Sequence, residues 1–194
     1  VLLGLSSGCG MQLTTDPVSK VLPQGDASTV EPLQKHRAVE AKDALFAQLS
    51  GRLMEVMGSQ GPAAAIGVCS QEASEIAQKV GAEHGVAIGR TAVKLRNKNN
   101  VAPDWAVPMI SQSPEQPRFV MQGNGHSGAL FPIKLKALCV VCHGAPDLLA
   151  EDVKTALKER YPLDQATGFS EGDLRGWFWV DVPPNAANTE ESSS

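Results

Sequence analysis

The run Leu138-Cys139-Val140-Val141-Cys142-His143-Gly144 constrains this chain more than any other stretch. Two thiols three positions apart, followed directly by an imidazole, make C-x-x-C-H, the spacing that attaches c-type haem. Each residue type has a job. The two sulfurs reach the two vinyl groups of one porphyrin as thioethers, and the adjacent imidazole falls under the iron as its proximal ligand. A chain built around this motif must enclose a large flat cofactor and must be matured outside the cytosol.

Two other readings of the spacing compete. A dithiol redox motif would open a helix after a βαβ pattern, with an aromatic or Pro nearby. Here the flanks are Lys136-Ala137-Leu138 and Gly144-Ala145-Pro146. A tetrahedral zinc site would need two further ligands at knuckle spacing, and Cys9 and Cys69 form no second pair. One covalent haem c is therefore the expected cofactor.

With 194 residues, the chain suits one domain with tails, and 42% hydrophobic residues are enough for a core. A net charge of −4, with no basic run interleaved with aromatics, argues against a nucleic-acid partner. Four cysteines, two of them in the motif, do not make a disulfide framework. Val1-Leu2-Leu3-Gly4-Leu5-Ser6-Ser7-Gly8-Cys9 reads as the tail of a secretory segment, and the small residues before Cys9 resemble a lipoprotein cleavage site. Ser6 stands where such sites usually carry Leu. Lipid attachment at Cys9 and an unmodified exported protein both stay open. The expected location is periplasmic or extracytoplasmic, with a lipid anchor as one route to the membrane.

Three regions follow: an N-terminus and linker over 1–30, a domain over 31–182 and a polar, acidic tail over 183–194. Pro32 suits a first helical turn, and Leu45, Leu49, Leu53 and Met57 repeat at helical spacing up to Gly61-Pro62. A second helix over 62–83 puts Ile66, Cys69, Ala73, Ile76 and Val80 on one face. Alternation over 86–96 predicts a strand with Arg90, Lys94 and Arg96 on one side, where they are candidate donors to haem propionates. A solvated strand face explains the same pattern. Gly123-Asn124-Gly125 predicts a hairpin turn between strands over 118–122 and 129–135, with Pro132 marking an edge or a bulge. A helix over 146–160 follows the motif, and a strand over 176–182 closes the chain. Trp177 and Trp179 share a face there, with core packing favoured over contact with haem.

Several separated stretches resemble the PAS-like c-type haem domain family of exported or membrane-anchored proteins. They are Val68-Cys69-Ser70-Gln71-Glu72-Ala73, Gly89-Arg90-Thr91 through Arg96-Asn97 to Asp104-Trp105, and Phe131-Pro132-Ile133 leading into the C-x-x-C-H run. Tyr161-Pro162, Ala166-Thr167-Gly168-Phe169 and Gly172-Asp173-Leu174-Arg175-Gly176 complete the set, spanning about residues 35–182. The resemblance implies an α+β, PAS-like fold: an antiparallel sheet flanked by helices, with haem against the sheet. It also implies His143 as proximal iron ligand and Cys69 as the sixth. From the residues alone, Cys69 could equally be a small buried thiol, and His126, Met121, Met109 and His84 remain rival ligands. Arg175 is expected to hold a turn with Asp173.

A thiolate opposite an imidazole stabilises ferric iron and lowers the potential, which suits sensing better than general electron transfer. The expected role is a redox or small-ligand (gas) sensor module, with membrane redox or signalling complexes as partners. An electron-transfer subunit, or a structural subunit stapled by its haem, are the alternatives. No nucleophile–base pair or carboxylate dyad suggests an enzyme.

Overall fold

The computed structural model describes residues 30–185, so Cys9, the N-terminal linker up to residue 29 and the tail beyond residue 185 lie outside the described residues. The first element, α1 (Pro32–Gln60), starts at a proline whose missing N–H costs a helix nothing at that position. It stops at Gly61, whose φ of 85° is open to glycine and strained for other residues. Pro62 then opens α2 (Pro62–Gly67). On α1, Ala38, Ala41 and Leu45 follow helical spacing, and all three are buried against the sheet. The two alanines let the helix approach closely.

The second helix is not one α-helix. A π-helical turn, Val68–Glu72, separates α2 from α3 (Ala73–His84). Its extra residue per turn breaks the predicted stripe. Ile66 packs against a late helix rather than on the sheet: its cluster contains Leu149, Val153, Leu157 and Tyr161. Val80 and Ile76 pack on the sheet instead.

Four antiparallel strands form an open sheet: β1 (Ala87–Thr91), β2 (Arg118–Met121), β3 (Ser127–Lys134) and β4 (Leu174–Val182), in the order β1-β4-β3-β2. The architecture is α+β. The last strand enters between β1 and β3, which is why Trp177, Phe178, Val180 and Val182 are all buried. Successive side chains alternate between faces. Phe178, Val180 and Val182 pack under α1 and α3 with Phe131 and Ile88. Trp177 packs on the other face with Ala106 and Leu130, and its indole Nε1 donates to Pro114 O at 2.9 Å. Both predictions about Pro132 meet here. β2 pairs no further along β3 than Leu130, and a register shift follows at Ile133/Lys134.

One expectation fails. The strand predicted over 86–96 ends at Thr91. A β-carbon on Gly176 of β4 would stand 2.3 Å from Thr91 O, so the two backbones are already in close contact. Beyond that point no further β1–β4 pair forms, and the chain turns away through Asn97–Asn100 and a short helix, α4 (Val107–Ile110), towards β2. Lys94 and Arg96 therefore leave the sheet and do not share a strand face with Arg90.

The core makes a direct prediction. Leu45 is fully buried between α1 and the sheet. Leu45→Ala is expected to lower the unfolding free energy by about 3 kcal/mol, within the range of roughly 2–5 for such a truncation. Chemical denaturation followed by far-UV circular dichroism measures this, and a change under about 1 kcal/mol would contradict the packing.

Candidate cofactor site

After β3 the chain makes a 3-10 turn, Ala137–Cys139, and a single helical turn, α5 (Val140–His143). Residues three and four apart lie on one helix face, so Cys139, Cys142 and His143 point to the same side. Gly144 closes the turn by donating its N–H to Val140 O at 2.8 Å. A β-carbon there would sit 2.7 Å from that same oxygen and 2.8 Å from Val140 Cγ1. The glycine after the histidine is thus a packing requirement of the turn.

The segment between α6 (Glu151–Arg160) and β4 straps this turn from outside. Gly168 N donates to Gly144 O at 2.8 Å and Phe169 N to His143 O at 3.0 Å. His143 Nδ1 lies 2.7 Å from Ala166 O. A carbonyl can only accept, so Nδ1 carries the proton and the Nε2 lone pair is left for a metal. Arg96 binds strap and turn together. Its Nη2 donates to Cys142 O at 2.6 Å and to Ala166 O at 3.0 Å, and its Nε donates to Asp164 Oδ2 at 3.1 Å. Asp164 Oδ1 in turn accepts from Ala166 N at 2.8 Å.

Burial sets the protonation states. The His143 pKa is pushed down to about 3, first by burial and then by Arg96 and Arg175, so the ring is neutral. Burial also pushes the Cys142 thiol up to about 11. That shift runs opposite to the depressed thiol of a dithiol oxidoreductase. Burial, then Arg96, lowers Arg175 to about 10. Phe169 sits edge-on to His143, with ring centroids 6.4 Å apart, and Lys94 Nζ and the Arg175 guanidinium lie 5.2 and 5.7 Å from its centroid. Cation–π contacts of this kind hold the aromatic against the imidazole.

Cys69 lies in the π-helical turn and is half-buried. It is close enough to Cys142, Tyr161 and Arg175 for its charge to bear on all three. Its neighbours are tied down: Arg52 of α1 grips Glu72 through Nε at 2.7 Å and Nη2 at 3.2 Å, and Ser70 Oγ bonds Gly67 O at 3.0 Å. Cys69, Cys139 and Cys142 are all free of disulfides. The rival ligands lie elsewhere. His126 Nδ1 is 2.6 Å from Asp181 Oδ1 near the hairpin turn, and Met109 packs with the Trp177 cluster on the far face of the sheet. His84 ends α3, and Met121 ends β2.

The arginines divide differently from the sequence pattern. Arg90 is half-buried on the helix-facing side of β1, opposite Phe178, and makes no hydrogen bond or ion pair among the described residues. It lines a cleft with Arg175, Leu95 and Ile133. Arg96 lines it too, and in addition ties three oxygens inside the protein, through Nε to Asp164 and through Nη2 to Cys142 and Ala166. Arg175 donates to Lys94 O at 3.0 Å, whereas Asp173 accepts from Ser170 N. The turn pairing expected between Arg175 and Asp173 is not made. Asp164, Ala166 and Phe169 are partners to which sequence reasoning gave no role, although Ala166 and Phe169 lie in a stretch that carries the family resemblance. Two of them act on the site through main-chain or ring contacts that leave no spacing signature.

Among the described residues no three His, Cys, Asp or Glu side chains converge as an all-protein metal site would need. An iron already held by a porphyrin makes no such demand, since it takes only its axial ligands from the protein. The residues fit that group: two unpaired thiols, a neutral imidazole with one nitrogen free, a third thiol nearby, and, beside a cleft, an arginine with no ion-pair partner among the described residues.

The fold and site together define an α+β domain with an open antiparallel sheet and a thiol–imidazole turn in the connection between β3 and β4. A family model described as Tll0287-like, Tll0287, matches residues 20–183, and the chain belongs to that family. Among solved structures it is similar to that titled "Crystal structure of the cyanobacterial heme-protein Tll0287", with a TM-score of 0.60 and 26% sequence identity. That match covers 79% of this chain and 97% of the other. Comparison with curated proteins finds no match.

Proposed function

We propose that this chain is an exported monohaem protein of c type with a PAS-like fold, acting as a redox or small-ligand sensor. Cys139 and Cys142 would carry the thioethers, His143 Nε2 the proximal bond and Cys69 the opposite one. Arg90 and Arg175 would receive the propionates, as two cations beside a cleft with one internal carboxylate, Asp164, near them. The observation that carries the reading is the state of His143. It is half-buried and held neutral by desolvation and the nearby arginines, with Nδ1 committed to Ala166 O, next to two free thiols. Kinship with a cyanobacterial haem protein supports haem over dithiol or zinc chemistry. When bound, the haem supplies a one-electron couple and an iron that can exchange a ligand; the chain supplies the tautomer, the orientation and the dry surroundings.

A second reading, electron transfer to a docked partner, is favoured by one feature. Leu138, Val141 and Leu148 are exposed around the motif turn, with Leu148 at 82%. An apolar rim of this kind is what a transient redox partner would cover.

The test is attachment. After expression with a haem-ligation system, haem is expected to stay on the chain through denaturing gel electrophoresis and acidified-solvent extraction. In Cys139→Ser/Cys142→Ser it is expected to be extracted. Extractable haem in the unmutated chain would rule out the c-type reading.

A further inference from the structure

One carbonyl, Ala166 O, accepts from two donors: His143 Nδ1 at 2.7 Å and Arg96 Nη2 at 3.0 Å. The geometry points to Arg96 as a positioning residue that sets the donor strength of His143 towards the iron. The inference rests on His143 as proximal ligand.

The physical case has three parts. First, a ligating histidine is tuned by what its other nitrogen donates to. A strong acceptor gives the ring imidazolate character and makes it a better donor to the metal. Here the acceptor is shared with a guanidinium, which withdraws electron density from the carbonyl and weakens its pull on the Nδ1 proton. Second, the sharing is built in. Arg96 is only 8% exposed, and two more of its N–H groups hold Asp164 Oδ2 and Cys142 O, the carbonyl of the residue just before His143. Asp164 Oδ1 also accepts the N–H of Ala166, so the strap around the accepting carbonyl is clamped from both sides. Third, Arg96 places a buried guanidinium directly against the main chain of the motif turn, at Cys142 O. Weaker imidazolate character and a nearby cation both disfavour ferric iron. Arg96 therefore raises the potential against the lowering effect expected of a thiolate ligand.

The role separates Arg96 from Arg90 and Arg175. Those two have donors to offer an anion, whereas Arg96 acts through Ala166 on the ring.

The experiment compares holoprotein variants by redox titration and by electron paramagnetic resonance of the ferric state. Arg96→Gln alone leaves Asp164, itself almost buried, without its cation and is at risk of misfolding. Arg96→Gln/Asp164→Asn removes both charges, keeps a polar amide at each position and avoids leaving a buried charge unpaired. In this double variant the local net charge is unchanged, so a fall in midpoint potential and an altered spread of ferric g values report the restored His143–Ala166 bond. Asp164→Asn alone, which strips Arg96 of its counter-charge, is expected to move the potential upward. Opposite signs in these two variants support the role. A double variant with unaltered potential and g values would overturn it, leaving Arg96 a structural clamp. If the unmutated chain retains haem but Cys or His143 replacement leaves its spectrum unchanged, the axial-ligand reading itself has failed, and this inference with it.

Discussion

Cys69→Ser is expected to abolish the low-spin thiolate signature of the ferric protein and to raise its midpoint potential on the order of 0.2 V, within the roughly 0.8 V that axial ligation spans. An anionic sulfur stabilises ferric iron, and a neutral hydroxyl binds it poorly, so loss of the thiolate removes most of that bias. The expectation depends on where the π-helical turn holds residue 69. Arg52 grips Glu72 through two nitrogens, and Ser70 bonds Gly67 O, so the stretch carrying Cys69 is held between α1 and its own helix. The substitution removes no large side chain, and the fold should survive it. Carbon monoxide then gives an independent readout. It should bind the ferrous variant more readily than the unmutated protein, because the competing ligand is gone. Unchanged spectra and gas binding in Cys69→Ser would eliminate thiolate-based sensing and leave the electron-transfer reading stronger.

Gly176→Ala is expected to be the most damaging single-methyl addition. A β-carbon there would stand 2.3 Å from Thr91 O and 2.8 Å from Ala92 Cβ. A backbone oxygen cannot swing aside as a side-chain tip can, so β1 and β4 must separate. The cost should be about 3 kcal/mol, at the upper end for overpacking a core. Damage should also reach the site. Arg175 precedes Gly176 and bonds Lys94 O, and the chain leaving β1 leads to Arg96. Gly123→Ala is the control. Nothing lies within 4 Å of its added carbon. The change there should stay within about 0.5 kcal/mol. Equal stability of the two variants in urea would show that the strands do not approach as closely as the geometry requires.

Local signals in the sequence were reliable where covalent chemistry acts locally. Pro32 and Gly61-Pro62 bound α1, and Gly123-Asn124-Gly125 turns β2 into β3. They failed where a partner decides. Residues 92–96 alternate like a strand, but pairing of β1 with β4 stops at Thr91 and Trp177, so they become a loop. Helical periodicity over 62–83 hid a π turn, because an extra residue per turn is a response to packing on two different clusters. Arg90 and Arg96 looked equivalent at even spacing, yet one ends half-buried beside a cleft and the other also ties internal oxygens.

What the sequence determines by itself is the reactive set and its local geometry. Cys139, Cys142 and His143 share a face because three- and four-residue spacings do so on any helical turn. Tertiary structure decides their chemical state. The His143 tautomer depends on Ala166, 23 residues away, and the anchor of that carbonyl comes from Arg96, 70 residues from it. Where the turn carrying Cys69 sits depends on α1 and α6, through Arg52 on Glu72 and Arg160 on Ser70. Burial and long-range hydrogen bonds set protonation, and neither exists until the distant segments meet.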